Sequence, residues 1–256
     1  MLLIPICIRN EARRQSTAPI NNRQATTDQV SFLKQMGMGS LMIMPTLQNR
    51  LYLASKSSRR RELLNQIGVN FEVLLLRESP PSRQDIDEKP FPDEVPEKYA
   101  IRIACKKAEV GVAKVKDRHL LNLPVLSADT CVILGNKIIG KPANIEEAAK
   151  TLRMLSGTTH QVMSAVAIAY ANEISSMLSI TEVRFAPLSE EQIQQYIASG
   201  EPLDKAGAYG IQGKAAAFIA HISGSYSGVM GLPLFETTEL LRKIRFPLPI
   251  SNIKTV

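Results

Sequence analysis

Residues 125–134, Val-Leu-Ser-Ala-Asp-Thr-Cys-Val-Ile-Leu, decide the predicted fold together with the Gly135-Asn136 pair that follows them. The apolar residues at both ends of this stretch predict a strand, and Gly-Asn predicts a tight turn into a second strand ending near Gly140. A second hairpin is predicted further along a chain that otherwise alternates short strands and helices. This pattern favours an α/β fold with a mixed sheet over a purely parallel one.

The elements around this hairpin follow from apolar periodicity and from capping residues. Asn144 is a predicted helix N-cap, and Ser189 with Gln192 forms a capping box. The Pro-rich residues 77–95 are predicted to be a surface loop, and residues 246–249 to be frayed. Helices are predicted over residues 59–67, 96–116, 144–155, 189–200 and 235–244, and the other strands over residues 51–54, 71–76, 160–170 and 178–185.

Composition excludes several classes of protein. The chain has 256 residues, of which 45% are hydrophobic and 21% are charged, so it is neither generally disordered nor fibrous. Cys7, Cys105 and Cys131 are too widely spaced for a disulfide framework or a zinc site, which favours a reducing compartment. No uninterrupted apolar run approaches the ~18 residues of a membrane span. A soluble, cytoplasmic protein without a membrane partner is therefore predicted.

The positive charge is concentrated at the start of the chain. Of the formal net charge of +7, residues 1–50 carry +4, from six Lys or Arg and two Asp or Glu, which leaves +3 for residues 51–256. A nucleic-acid-binding face normally clusters basic residues in the folded part and interleaves aromatic residues. Neither feature is evident, so no nucleic-acid partner is expected.

The chain is predicted to contain one large domain with two extensions. Residues 1–49 lack a sustained period and are predicted to be a disordered extension. Their Arg-rich, acid-poor composition also resembles an organelle transit peptide, and a true translation start near Met42 or Met44 is another explanation. Residues 50–245 form the predicted domain, and residues 246–256 a C-terminal tail.

The segment Leu53–Leu64 predicts an anion site at a helix start. A strand passes through a Ser-rich turn into a helix whose first turn carries Arg59, Arg60 and Arg61. These cations oppose the helix dipole by a few tenths of a kcal/mol each, so a compensating partner is expected. A phosphate would supply it at a helix N-terminus. The alternative is an ordinary solvated arginine cluster, and Arg61 is expected to point outward.

Lys107 and Asp129 are candidates for chemistry, each with a structural alternative. Lys107 lies on the apolar stripe of the predicted helix 96–116, so either its stem packs along the core edge or its ammonium reaches a cleft. Asp129 interrupts a strand, where a carboxylate is costly unless it is paired or metal-bound. The alternative is an Asp that caps a turn between two short strands. Lys141 follows one hairpin later and can lie close to Asp129.

Two loops add polar groups. Asp85, Asp87 and Glu88 offer carboxylates to a hard divalent cation, although solvated loop acids are the commoner case. The Gly-rich stretch 200–213 allows tight turns and close approach of a ligand, and the Gln212 amide can read a base edge that carries both a donor and an acceptor. The histidines have no metal-ligand spacing and are interpreted as structural or surface residues: His119, His160 and His221.

Together and in this order, these segments resemble the Maf family of nucleotide pyrophosphatases. The resemblance covers about residues 51–244. Its motifs are residues 53–64, 86–88, 107–108, 128–130, 140–142, 155–160, 201–213 and 224–233.

This resemblance implies the fold and the reaction. The family fold is similar to that of the inosine-triphosphate pyrophosphatases, an elongated mixed β-sheet with flanking helices in two lobes around a cleft. The implied reaction is hydrolysis of a nucleoside triphosphate, in the dTTP/UTP branch, to the monophosphate and pyrophosphate. The implied cofactor is a divalent metal cation, Mg²⁺, Mn²⁺ or Co²⁺, and a homodimer is one compatible assembly.

The resemblance also implies roles for individual residues. Its catalytic proton acceptor falls on Asp129, with Lys107 and Lys141 as further catalytic residues and Glu88 and Asp129 as metal ligands. Its substrate-binding positions fall on Ser55, Arg59, Arg60, Thr130 and Gln212. The position of Gln212 is acidic in the branch that acts on 7-methyl-GTP. A nucleotide-binding regulator of cell division or septum formation, without essential catalysis, stands as the alternative function.

Overall fold

The structure is a computed structural model that describes residues 49–76 and 86–249. The predicted N-terminal extension up to residue 48, Asp85 and residues 250–256 lie outside the described residues. The strands are β1 (Leu51–Leu53), β2 (Phe71–Val73), β3 (Val125–Leu134), β4 (Lys137–Ile139), β5 (Thr159–Tyr170), β6 (Glu173–Phe185) and β7 (Ile219–Ser223). The α-helices are α1 (Ser58–Gln66), α2 (Pro96–Asp117), α3 (Ile145–Leu155), α4 (Glu190–Ala198), α5 (Tyr226–Met230) and α6 (Leu234–Lys243).

The strands form one mixed sheet, which confirms the predicted fold class of a mixed β-sheet with flanking helices. Six strands follow the order β2-β1-β3-β5-β6-β7, and β4 pairs with β3. β1 runs parallel to β2 and to β3, whereas the other pairings are antiparallel. The predicted β3–β4 hairpin and a longer β5–β6 hairpin supply most of the antiparallel ladder.

The sheet is split along one edge of β3. β5 runs along the other edge from Val125 to Ile133. On the split edge, β1 pairs only with Val125 and Leu126, and β4 pairs only from Val132 onward. Among the described strands, none pairs with residues 127–131 on this edge. The split therefore leaves the middle of β3, where the sequence placed its polar residues, open to a ligand.

Helix α2 covers one face of the sheet. Its apolar stripe, which includes Ala100, Ile103 and Ala104, is fully buried and packs in one cluster with β3 and β5. The Ser127 hydroxyl donates a hydrogen bond of 2.7 Å to the Ala104 carbonyl oxygen. This bond satisfies a buried polar group inside the core and fixes the helix against the strand that carries Asp129.

Two further clusters complete the core. One packs α1 and α6 against the sheet through residues such as Leu63, Leu64 and Leu241. The other packs α3 and α4 around Phe185 through residues such as Leu152. Of the helices in the described part of the chain, none is long and apolar enough to cross a membrane.

The capping predictions are confirmed. The Asn144 side chain accepts a hydrogen bond from the Glu147 N–H at 2.8 Å. Ser189 and Gln192 make both bonds of the capping box. Ser57, which precedes the three arginines, caps α1 by accepting from the Arg60 N–H at 3.4 Å.

Other predictions are wrong. β3 continues through Asp129, so this residue does not cap a turn between two short strands. β6 begins at Glu173, five residues before its predicted start, and β7 and α5 were not predicted. Phe246 and Leu248 are each only 4% exposed and belong to the α1–α6 cluster, so this segment is not frayed. Apolar burial outweighs the flanking prolines there.

Candidate active site

A cavity of about 820 Å³ lies beside the split edge of β3. Its walls come from the turn before α1, the middle of β3, the end of β4, and the loop after α4. The sequence-predicted residues that line it are Ser55, Arg59, Arg60, Glu88, Lys107, Asp129, Thr130 and Lys141.

Asp129, Lys107 and Glu88 form an ion-pair cluster in this cavity. The Lys107 Nζ lies 2.7 Å from Asp129 Oδ1 and 3.1 Å from Glu88 Oε1. The side chains of Lys107 and Asp129 are 15% and 12% exposed, so both charges are largely removed from water. A buried charge is tolerated when it is paired and hydrogen-bonded. Lys107 therefore extends its ammonium into the cleft, which decides between the two alternatives left open by its helical position.

The segment that carries Glu88 is tied to α2. Tyr99 donates a hydrogen bond of 2.9 Å to the Glu88 carbonyl oxygen, and burial raises the pKa of Tyr99, so its hydroxyl stays a donor. Arg102 makes two hydrogen bonds of 2.6 Å to Glu94 and stacks 4.0 Å above the Phe91 ring. Sequence reasoning missed these contacts, although Tyr99 and Arg102 lie three residues apart on one helix.

Arg60 is fixed by three acceptors rather than solvated. Its Nε donates to the Gly231 carbonyl oxygen at 2.7 Å, its Nη1 to Ser55 Oγ at 3.1 Å and its Nη2 to Thr130 Oγ1 at 3.3 Å. Burial lowers the pKa of Arg60 and the Asp129 carboxylate opposes this effect, but an arginine keeps its charge in proteins. The compensation expected at the start of α1 thus includes these protein oxygens.

The other arginines at this helix start are placed differently. Arg61 is exposed, as expected for a side chain that points outward, although it also contributes to the cavity rim. Arg59 lines the cavity, and its charge adds to the larger effect of Lys205 in lowering the pKa of Asp204. The first turn of α1 therefore presents charge to the cavity, and Arg60 is in addition tied to the Gly231 carbonyl oxygen.

Thr130 belongs to a buried hydroxyl chain. The Thr130 and Ser164 hydroxyls are 2.9 Å apart, and the Ser164 hydroxyl donates to the Gly228 carbonyl oxygen at 2.6 Å. Ser164 lies directly opposite Thr130 on β5 and is fully buried. Sequence reasoning missed Ser164. A serine within an apolar strand can be recognised as a partner of Thr130 only when the register between β3 and β5 is known.

The loop after α4 contributes a further cation that sequence reasoning missed. Lys205 lines the cavity with a side chain that is 13% exposed, and its Nζ donates to the Glu201 carbonyl oxygen and to Asp204 Oδ1, both at 2.7 Å. Burial acts to raise the pKa of Asp204, but the hydrogen bond and the charge of Lys205, together with the charge of Arg59, outweigh it and the net pKa is lowered. Its place within the Gly-rich stretch 200–213 is the feature of the sequence that could have identified Lys205 as a site residue.

Gln212 is the sequence candidate that does not line the cavity. Its side chain is exposed and follows Gly210 and Ile211, which do line it. Across the described stretches of the chain, the Gln212 side chain has no hydrogen-bond partner. The amide is therefore at the rim, free to turn toward a bound molecule.

His160 is structural. Its Nε2 lies 2.8 Å from the Tyr209 hydroxyl, its ring packs edge-on against Phe185, and burial lowers its pKa to about 4. The ring is thus neutral near pH 7 and supports Tyr209 beneath the cavity. Cys131 is buried as expected, and burial raises the pKa of its thiol to about 12.

Comparison with known proteins identifies the family. Residues 50–244 match the family described as Maf-like protein. The chain belongs to the Maf family.

Curated Maf relatives are similar over most of their length. The dTTP/UTP pyrophosphatase of Aromatoleum aromaticum is 52% identical over 80% of this chain and 100% of that protein. The dTTP/UTP pyrophosphatase of Nitrosomonas europaea is 54% identical over 76% of this chain and 94% of that protein. Among solved structures, the Staphylococcus aureus Ham1 protein matches with a TM-score of 0.42 and 16% identity over 76% of this chain and 97% of that one, too weakly to support an argument.

The carboxylates of this Maf cavity suit a hard divalent cation. Glu88 and Asp129 approach the same ammonium, so their oxygens already converge on one cationic position. Within residues 49–76 and 86–249, no group of three or more His, Cys, Asp or Glu side chains converges in this way. Mg²⁺-type sites often use one or two carboxylates and complete their shell with water and substrate phosphates. The residues present therefore fit such an ion.

This Maf site joins many cations to one buried acid. Arg59, Arg60, Lys107, Lys141 and Lys205 line a single cavity with Asp129. A polyanion is the ligand that such a charge distribution attracts, and a carboxylate beside it can accept a proton.

Proposed function

We propose that this Maf protein is a nucleoside triphosphate pyrophosphatase that hydrolyses dTTP and UTP to the monophosphate and pyrophosphate. The observation that carries the proposal is the Asp129–Lys107 pair at the open edge of β3, inside a cavity lined by further cations. Relatives about half identical to this chain are named dTTP/UTP pyrophosphatases, which supports the same substrate class.

The cations hold the triphosphate. Two unit charges ~4 Å apart near a protein surface interact by about 4 kcal/mol before desolvation is counted. Arg60 is already oriented by three hydrogen bonds, so little reorganisation is needed when phosphate charge develops. Arg59, Lys107, Lys141 and the N–H groups at the start of α1 add to this field.

Asp129 accepts the proton of the attacking water. Its Oδ1 is held by Lys107, and its other oxygen makes no hydrogen bond with the described residues, so that oxygen is available to a water molecule. The water oxygen forms a bond to the α-phosphorus, the bond from that phosphorus to the bridging oxygen breaks, and pyrophosphate leaves. A divalent cation held by Glu88 and Asp129 supplies, when bound, neutralisation of the phosphate charge.

The loop and α1 contribute base selectivity in this proposal. Thymine and uracil present an O4 acceptor beside an N3–H donor, and the Gln212 amide can satisfy both groups. Arg59 and Thr130 are the other substrate-specificity positions. A cytoplasmic location and a homodimeric assembly belong to the proposal as well.

The test is a product assay over a panel of nucleotides. Purified protein is incubated with each common nucleoside triphosphate and with Mg²⁺, Mn²⁺, Co²⁺ or a chelator, and all products are separated. We expect monophosphate and pyrophosphate, fastest from dTTP and UTP, and only with a metal. Nucleotide binding without turnover would favour the cell-division regulator, and release of diphosphate and inorganic phosphate would contradict the proposed reaction.

A further inference from the structure

The turn that carries Gln212 is held by a carboxylate outside the catalytic cluster. Glu201 Oε2 accepts a hydrogen bond of 3.0 Å from the backbone N–H of Lys214, and Glu201 Oε1 accepts one of 3.0 Å from the Tyr196 hydroxyl. Glu201 thus joins the end of α4 to the far side of the Gln212-Gly213 step. A single side chain closes the loop across thirteen positions of sequence.

The close fit of this carboxylate explains a glycine. A Cβ atom added at Gly213 would lie 1.9 Å from Glu201 Oε1, so any side chain at this position would displace the Glu201 carboxylate. Gly213 has a φ of −103°, which other residues also adopt, so glycine serves here to leave space for the carboxylate rather than to allow the backbone conformation. The glycine and the carboxylate therefore act as one unit.

Glu201 also contacts the side of the loop that faces the cavity. The Glu201 carbonyl oxygen accepts from the Lys205 Nζ at 2.7 Å. The Lys205 stem lies so close to Gly210 that an added Cβ would be 2.8 Å from its Cε. Glu201 thus binds one end of the 210–214 turn through its carboxylate, and its carbonyl oxygen holds Lys205, whose stem packs against Gly210 at the other end.

Gln212 has no comparable restraint of its own. Because its side chain makes no hydrogen bond with the residues that the structure describes, its position depends on the backbone turn that Glu201 holds. We propose that Glu201 is a positioning residue that sets the base selectivity of the enzyme through Gln212. This inference rests on the proposed function, in which Gln212 contacts the base.

The main variant is Glu201→Ala, which removes the two carboxylate oxygens that accept from Tyr196 and Lys214. We expect the ratio of kcat/KM for dTTP over dCTP to fall by about tenfold, because one hydrogen bond to the base contributes about that factor. Most of the change should appear in KM for dTTP, since the catalytic cluster lies on other elements. Amide exchange at Lys214, measured by hydrogen–deuterium exchange, should become faster by at least about tenfold.

Two further variants separate positioning from general damage. Glu201→Gln keeps one oxygen for the Lys214 N–H and offers its NH₂ to the Tyr196 hydroxyl, which can also accept, so selectivity and exchange should return close to wild type. Tyr196→Phe removes one bond only and should give a smaller effect. Glu173→Ala, an exposed acid at the start of β6, is the matched control and should change neither quantity.

The outcomes distinguish the two proposals. Unchanged Lys214 exchange in Glu201→Ala, or faster exchange with unchanged selectivity, overturns the role of Glu201. If Glu201→Ala does not fold, the inference is tested with Glu201→Gln and Tyr196→Phe. Wild-type selectivity in Tyr196→Phe together with faster exchange of the Lys214 amide would contradict it. A wild-type protein without turnover overturns the proposed function; dTTP and dCTP affinities measured by calorimetry then replace kcat/KM in the same comparison.

Discussion

Two walls of the cavity are built in different ways. The strand wall consists of β3 and Lys107, and its side chains are placed by a regular ladder and by the helix packed on it. The loop wall consists of residues 200–214, which form short 3₁₀ turns and no strand. There the chain is held by side chains, above all Glu201.

Because the two walls are built differently, we expect them to have different functions. The strand wall carries Asp129, where small displacements would be costly for chemistry, and regular structure keeps it in place. The loop wall leads to Gln212, whose free amide can adapt to a base. Substitutions in the strand wall should therefore lower turnover, whereas those in the loop wall should alter substrate binding.

The largest expected effect is that of Asp129→Asn in the strand wall. Asparagine keeps the shape and the bond from Lys107 but cannot accept a proton from water. We expect kcat for dTTP to fall by about 10²–10⁴, with nucleotide affinity close to wild type and the fold retained, because Lys107 keeps its ion pair with Glu88. Steady-state kinetics, calorimetry and thermal unfolding measure the three quantities. Near-normal turnover would remove Asp129 from the reaction.

The next effect concerns His160, which supports the loop wall through Tyr209. Its folded pKa is about 4 against 6.5 for an ordinary histidine, so the unfolded chain binds a proton more readily. The contribution of His160 to the free energy of unfolding is fully present above pH 6.5 and is lost as the pH falls toward 4. We expect the free energy of unfolding to decrease by about 3 kcal/mol across that window.

Urea unfolding at pH 7 and pH 4 checks this effect. His160→Gln should show a correspondingly smaller decrease, whereas His221→Gln, at an exposed position, should behave as wild type. Equal acid sensitivity in wild type and His160→Gln would show that His160 does not couple folding to pH.

A smaller effect is expected from Gln212→Glu in the loop wall. The carboxylate lacks the amide donors and repels a triphosphate, so kcat/KM for dTTP and UTP should fall by about tenfold. The thermal midpoint should not move, because the side chain is exposed. Unchanged kinetics on both nucleotides would exclude Gln212 from base recognition, and Glu173→Gln serves as a control for surface charge.

The smallest effect is expected from Ser164→Ala behind the strand wall. The substitution removes one of two donors to the Gly228 carbonyl oxygen, which keeps the Gly231 N–H, and leaves Thr130 without one acceptor. We expect a loss of about 1 kcal/mol in the free energy of unfolding and a modest rise in KM, with kcat retained. A destabilisation as large as that of a core cavity would show that Ser164 acts through packing instead.

Local signals predicted much of the fold. The helix that begins at Pro96 and the caps at Asn144 and Ser189 are where periodicity and capping rules place them. β7 was missed because its Ile219–Ser223 segment is short and only partly buried. Phe246 and Leu248 were misjudged because their burial depends on a cluster shared with α1, which lies far away in sequence.

The site was predictable in its residue types more than in its contacts. The charged residues Lys107 and Asp129 stood out because they interrupt apolar patterns, and the family resemblance gave them roles. Their ion pair depends on how α2 packs on β3, and the contact between Thr130 and Ser164 depends on which strand lies beside which. No local propensity encodes that register, so such partners become visible only in three dimensions.

The central claim is that water attacks the α-phosphorus beside Asp129. The most direct test is to find which product contains the oxygen atom of that water. Hydrolysis of dTTP in ¹⁸O-labelled water, followed by mass spectrometry of both products, reports the atom that is attacked. We predict one ¹⁸O atom in the monophosphate and none in the pyrophosphate. Label in the pyrophosphate would mean attack at the β-phosphorus and would contradict the account.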